Sequence, residues 1–205
     1  MLPQKILLAS SSSYRKELLK RILKDFDFAA PNINEDQLDN ESLRAMSERL
    51  AKEKALALAE KYPSHLIIGS DQVACLDINN QEMQLKKPIT AEQCFLQLKQ
   101  CQGNTVKFYT GLCLLNPATM NTQTSVEYYE TKFRKLSDVQ ILNYIEREPA
   151  LDCAGGFKME GLGIALFEHI RGDDPNTLIG LPLIRLIEMF QNEDLDILKS
   201  NDSSL

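Results

Sequence analysis

The chain has 205 residues, 43% hydrophobic and 25% charged, which supports one folded domain with a real core and excludes a disordered or collagen-like chain. Lys+Arg 23 against Asp+Glu 29 leave a net charge of −6, which argues against a nucleic-acid polymer or an anionic membrane as partner. No apolar run approaches the roughly 18 residues of a membrane span, and Ile6 to Ala9 is shorter than a signal-peptide core of about 7–15 residues, so a cytoplasmic protein is expected.

Lys5–Ala9 is a short apolar run that reads as a buried strand, and the serine cluster Ser10–Ser13 follows it. Tyr14–Lys24 has helical period, with Leu18, Leu19, Ile22 and Leu23 inward and Lys16, Lys20 and Lys24 outward. Phe26–Ala30 reads as a second strand stopped by Pro31, and residues 32–40 as polar loop. The pattern predicts a long helix over Ser42–Tyr62, closed by Pro63, and then an apolar strand over His65–Ser70. A helix is expected over Thr90–Gln100. Two β-rich runs, Val106–Leu115 and Thr124–Phe133, flank the turn-rich Asn116–Asn121 and predict a hairpin. Ser137–Arg147 reads as helix, Gly155–Gly163 as glycine-rich loop, Ile164–Ile170 as strand and Leu181–Gln191 as a final helix. The alternation predicts a single α/β domain over residues 1–191, with an elongated mixed sheet flanked by helices. Residues 192–205 are polar and acidic and read as a flexible tail.

Four places carry chemistry-bearing residues. The run LLASSSSYRK puts hydroxyls at a strand-to-helix turn, where unpaired N–H groups and the helix dipole attract anions. Arg15 in the first turn opposes that dipole, so it is either solvated beside an ordinary serine cap or faces an anion held at the same end. Lys54 falls four residues after Leu50 and four before Leu58, inside the apolar stripe of its helix. It either snorkels from the stripe's edge or has a buried partner. Asp71 closes the run HLIIGSD, so it either starts a turn or sits in the crevice at the carboxyl ends of neighbouring strands. Pro88 favours an extended backbone at Lys87, which leaves Lys86 and Lys87 either solvated or reaching toward a phosphate. The phosphate-loop signature G-x-x-x-x-G-K-[ST] is absent, Gly161-Leu-Gly163 lacks a third glycine, and His65 and His169 lack metal-ligand spacing. The five cysteines are odd in number and form no C-x-x-C pair, so neither a disulfide framework nor a zinc site is expected.

Seven stretches in order resemble the Maf family of nucleotide pyrophosphatases: LASSSSYRKELL (8–19), RLAKEKA (49–55), IIGSDQV (67–73), KKP (86–88), TGLCL (110–114), DCAGGFKMEGLG (152–163) and GDDPNTLIGLPL (172–183). The forms SDQV and MEGLG are closest to the branch resembling 7-methyl-GTP pyrophosphatases. The resemblance implies a Maf/ITPase-like fold and cleavage between the α- and β-phosphates to a monophosphate and pyrophosphate. It implies Asp71 as the catalytic residue, Ser10, Ser12, Arg15, Lys54 and Lys87 as phosphate ligands, and Tyr14, Gln72 and Glu160 as setters of base specificity. It also implies a divalent cation, Mg²⁺ or Mn²⁺, held by Asp71 and Glu35, and a homodimer. Two departures stand out: Ser13 and Tyr14 replace the usual proline and tryptophan, and Lys86 replaces a loop glycine. The alternative readings are a dTTP/UTP-type pyrophosphatase, or a nucleotide-binding regulator of septum formation without significant turnover.

Overall fold

Fourteen consecutive residues, His65–Ile78, form strand β3, around which the sheet is built. The structure is a computed structural model that describes residues 5–78 and 81–199. Before β3 come β1 (Lys5–Ala9), helix α1 (Ser13–Lys20), β2 (Asp27–Ala29) and α2 (Leu43–Leu56). After it come β4 (Gln81–Leu85), α3 (Ala91–Cys101), β5 (Thr105–Asn116), β6 (Asn121–Phe133) and α4 (Asp138–Arg147). Two 3-10 turns, Ala154–Gly156 and Leu162–Leu166, lead to β7 (Phe167–Arg171), α5 (Asn176–Ile179) and α6 (Leu183–Gln191). The sheet runs β2-β1-β3-β5-β6-β7, with β4 also on β3. β1 is parallel to β2 and β3, and the remaining pairs are antiparallel. The expected mixed α/β sheet and the β5–β6 hairpin are therefore present.

Side chains alternate between the two faces of a strand, and each face has its own cover. Ile6, Leu8, Leu66, Ile68, Leu112 and Leu114 pack under α1 and α6. Leu7, Ala9, Ile67, Cys113 and Leu115 face α2 on the other side. Farther along the α1/α6 face, α3 and α4 close a third cluster around Phe108, Phe133, Phe157 and Phe167, whose rings meet edge to face.

Helix α2 lies against the sheet at backbone distance because Gly69 and Gly111 lie beneath it. A Cβ on Gly69 would sit 2.0 Å from the Ala51 carbonyl oxygen, and one on Gly111 2.0 Å from that of Ser47. Its start is capped by Ser42, which accepts from the Ala45 N–H. The regular helix ends at Leu56, short of the expected Tyr62, because Leu58 and Ala59 bond three residues back and tighten the last turn. Leu58 and Ala59 nevertheless stay buried.

The expected strand over His65–Ser70 is eight residues too short. Asp71 and Gln72 interrupt the apolar run, but β5 pairs with β3 continuously from Ile67↔Leu115 to Leu76↔Val106 and carries it through. The other edge of β3 is divided. β1 pairs with it only through Leu8↔Ile68, and β4 takes over only at Ala74↔Leu85. Among the described residues, the stretch from 69 to 73 has no strand on that side. This gap positions the site. At the far end, residues 192–199 form turns whose Leu195 and Ile197 pack onto the α1/α6 cluster. The rest of the expected tail, 200–205, lies outside the described residues.

Candidate active site

Strand β1 ends at Ala9 as the gap opens, and the serine run turns the chain into α1. Ser10 is buried, and its Oγ accepts from the Ser12 N–H at 3.1 Å. Ser12 in turn caps α1, accepting from the Arg15 N–H at 3.4 Å. The serine-cap reading is therefore correct, and the same loop lines a cleft of about 720 Å³. Arg15 is not a solvated surface residue. Its Nε donates to the Gly180 carbonyl at 2.8 Å. Desolvation lowers its pKa, while Asp71 and Glu35 act in the opposite direction.

Asp71 is not at a strand end. It lies within β3, opposite Gly111 of β5, just past the last pairing of β1. Alternation puts it on the α2 face with Gly69, and α2 supplies its partner. The Lys54 Nζ is 2.6 Å from Asp71 Oδ1 and 2.9 Å from Glu35 Oε1. Lys54 is buried and ion-paired, so it does not snorkel. Glu35 comes from the irregular segment between β2 and α2, which Arg49 holds down. The Arg49 guanidinium donates to both Glu41 carboxylate oxygens and to the Asp36 carbonyl at 2.9 Å. Hydrogen bonding to Glu41 pushes the Arg49 pKa up, and the same bond lowers that of Glu41.

The neighbouring residues of β3 face the opposite side. Ser70 Oγ is 2.9 Å from both the Gly111 and the Gly180 carbonyl oxygens. Gln72 Nε2 donates to Thr110 Oγ1 and to the Thr177 carbonyl, at 3.1 and 2.7 Å. With its N–H₂ group so engaged, Gln72 has only its carbonyl oxygen left to offer a ligand. A second chamber of about 140 Å³ opens here, lined by Tyr14, Gln72, Phe108, Asp152, Met159 and Glu160, among others. The Tyr14 hydroxyl donates to Asp152 Oδ2 at 3.4 Å, and the Lys158 ammonium lies 5.6 Å from the Tyr14 ring centre. Lys87, exposed on the loop after β4, lines both chambers.

The ten sequence-selected residues thus fall around two joined chambers. Ser10, Glu35, Lys54 and Asp71 line the larger one alone. Ser12, Tyr14, Arg15, Gln72 and Lys87 line both, and Glu160 lines the smaller alone. Sequence reasoning assigned no role to Asp152, which lines both chambers, or to Arg49. It also missed the Gly180 carbonyl that holds Arg15 and Ser70. A backbone acceptor has no residue signature, although GDDPNTLIGLPL marked the segment. Among the described residues, no three His, Cys, Asp or Glu converge as a metal site. Asp71 and Glu35, two carboxylates around one ammonium, suit a hard divalent cation shared with phosphate oxygens rather than an all-protein cage.

The profile of the Maf family, described as "Maf-like protein", matches residues 5–193. The chain belongs to the Maf family. It is 47% identical over 196 residues to the 7-methyl-GTP pyrophosphatase of Nitrosococcus oceani, covering 96% of each chain. The Ham1 protein of Staphylococcus aureus superposes with a TM-score of 0.47 at 15% identity, over 93% of this chain and 99% of that one.

Proposed function

We propose that the protein hydrolyses 7-methyl-GTP between its α- and β-phosphates, releasing 7-methyl-GMP and pyrophosphate. The observation that carries this is the gap in β3's edge, where a phosphate-type cleft and a base-sized chamber meet. The near full-length similarity to a 7-methyl-GTP pyrophosphatase supports it. The triphosphate takes the larger chamber, against the serine loop and the cations of Arg15, Lys54 and Lys87. The base takes the smaller, with Tyr14 stacked on it and Glu160 accepting from the guanine N1–H and amino group. A 7-methylated guanine carries positive charge, which favours both an aromatic face and a carboxylate.

Asp71 orients the attacking water and accepts its proton as the water oxygen bonds to the α-phosphorus. The bond from the α-phosphorus to the bridging oxygen breaks, and pyrophosphate leaves with its charge offset by the three cations. Asp71 and Glu35 would hold the divalent cation, Mg²⁺ or Mn²⁺, which supplies charge neutralisation at the phosphates when bound. The same reading takes the protein as a cytoplasmic homodimer acting on free nucleotide.

The test is a panel of 7-methyl-GTP, GTP, dTTP and UTP with Mg²⁺ or Mn²⁺, assayed for pyrophosphate and orthophosphate. Pyrophosphate release fastest from 7-methyl-GTP is expected. Release of orthophosphate alone, or tight binding without turnover, overturns the proposal.

A further inference from the structure

Lys54 meets in the free protein the same two carboxylates that the proposed reaction assigns to a divalent cation. Its Nζ lies 2.6 Å from Asp71 Oδ1 and 2.9 Å from Glu35 Oε1. Its side chain is 7% exposed and that of Asp71 10%, so solvent screens this pair weakly, while Glu35, 57% exposed, reaches Lys54 from the solvent side. Two carboxylates and one ammonium leave a single negative charge, and Arg15 stands close enough to interact with both acids. A divalent cation added between Asp71 and Glu35 with Lys54 still in place would press two like charges together beside the buried Asp71 carboxylate. The backbone of Lys54 cannot retreat, because α2 is seated on Gly69 through Ala51 and Ala55. The four-carbon stem can swing, and the cleft beside it is lined by the serine loop.

We infer that Lys54 is a place-holding cation. It neutralises Asp71 and Glu35 while the site is empty, and it is handed to the phosphates when the metal takes the carboxylates. This rests on the metal-assisted pyrophosphatase reading. The exchange couples the two ligands. Metal binding releases the ammonium for phosphate, and phosphate draws the ammonium off the metal's carboxylates. Linkage makes that coupling reciprocal. It also explains why a lysine is tolerated inside an apolar helix stripe: burial is compensated in both states, by carboxylates in one and by phosphates in the other.

The exchange is tested by Mn²⁺ titration at pH 8, read by electron paramagnetic resonance without nucleotide. Lys54→Met removes the competing cation and should bind Mn²⁺ at least about tenfold more tightly than wild type. A non-hydrolysable α,β-methylene analogue of GTP should tighten Mn²⁺ binding less in the variant than in wild type. Melting temperature checks that the variant is folded, and Lys54→Gln, which retains a polar head, replaces it if it is not. Unchanged or weaker Mn²⁺ binding by the folded variant overturns the inference even if 7-methyl-GTP turnover is intact. Absence of 7-methyl-GTP turnover in wild type overturns the parent reading instead, and the metal titration, which needs no turnover, still decides the exchange.

Discussion

At the scale of single residues, the site depends on strand alternation. Asp71 and Gly69 look toward α2, while Ser70 and Gln72 look toward Gly180 and Thr177. Successive positions of one strand therefore serve the two chambers. Asp71→Asn keeps the shape and removes the proton acceptor, and should lower kcat by about 10²–10⁴-fold, checked by pyrophosphate release. Glu160→Gln should leave hydrolysis intact and shrink the preference for 7-methyl-GTP over GTP, because a neutral amide no longer offsets the positive charge of the methylated ring; an unchanged ratio of kcat/KM values removes Glu160 from the base chamber. Lys54 was legible from its misplaced charge in an apolar stripe. The Gly180 carbonyl was not, since any residue carries one.

Among the elements, the contact of α2 with the sheet is the most exacting. The Cβ of Gly111→Ala would meet the Ser47 carbonyl oxygen at 2.0 Å, and rigid backbone on both sides leaves no easy relief. The substitution should cost about 1–3 kcal/mol of stability, read by denaturant melts, and should lower activity by displacing Lys54 from Asp71. The loop after β4 shows a different constraint. Ile89 has φ +61°, a left-handed conformation costly for a β-branched residue, and it is exposed at the cleft. Its N–H is tied to the Leu151 carbonyl at 3.2 Å, which fixes the chain two residues past Lys87. Ile89→Gly relieves the conformation but frees the loop, so stability should stay within about 1 kcal/mol of wild type while KM rises severalfold. The hairpin, the first strand and the α3 and α4 helices were legible because their periods are uninterrupted. β4 was not, since QEMQL offers only Met83 and Leu85 as apolar positions, with no β-branched or aromatic residue, and it exists by pairing with β3.

Over the whole molecule, charge and burial set the response to conditions. Glu41 has a lowered pKa through its hydrogen bond to Arg49, so its contribution is present above the ordinary carboxylate range and is lost as pH falls through the folded value. Glu41→Gln should flatten the acid limb of the stability–pH curve and weaken the hold on the Glu35 segment. Burial pushes the Cys75, Cys113 and Cys153 thiols up to about 12, so thiol reagents at pH 8 should label the native protein slowly and the unfolded protein fully. The net charge of −6 argues against a broad anionic surface as ligand but not against a small anion, since Arg15, Lys54 and Lys87 converge on one cleft. The sequence by itself determined the α/β class, the mixed sheet, the family and the identities of the residues around the cleft, because hydrophobic period and ordered motifs are local properties of the chain. Only the tertiary structure decided that Asp71 lies within a strand rather than at its end, that Lys54 meets it, and that the two chambers join. Those depend on where β1 stops and β4 begins along the same edge of β3, a matter of pairing between residues far apart in the chain.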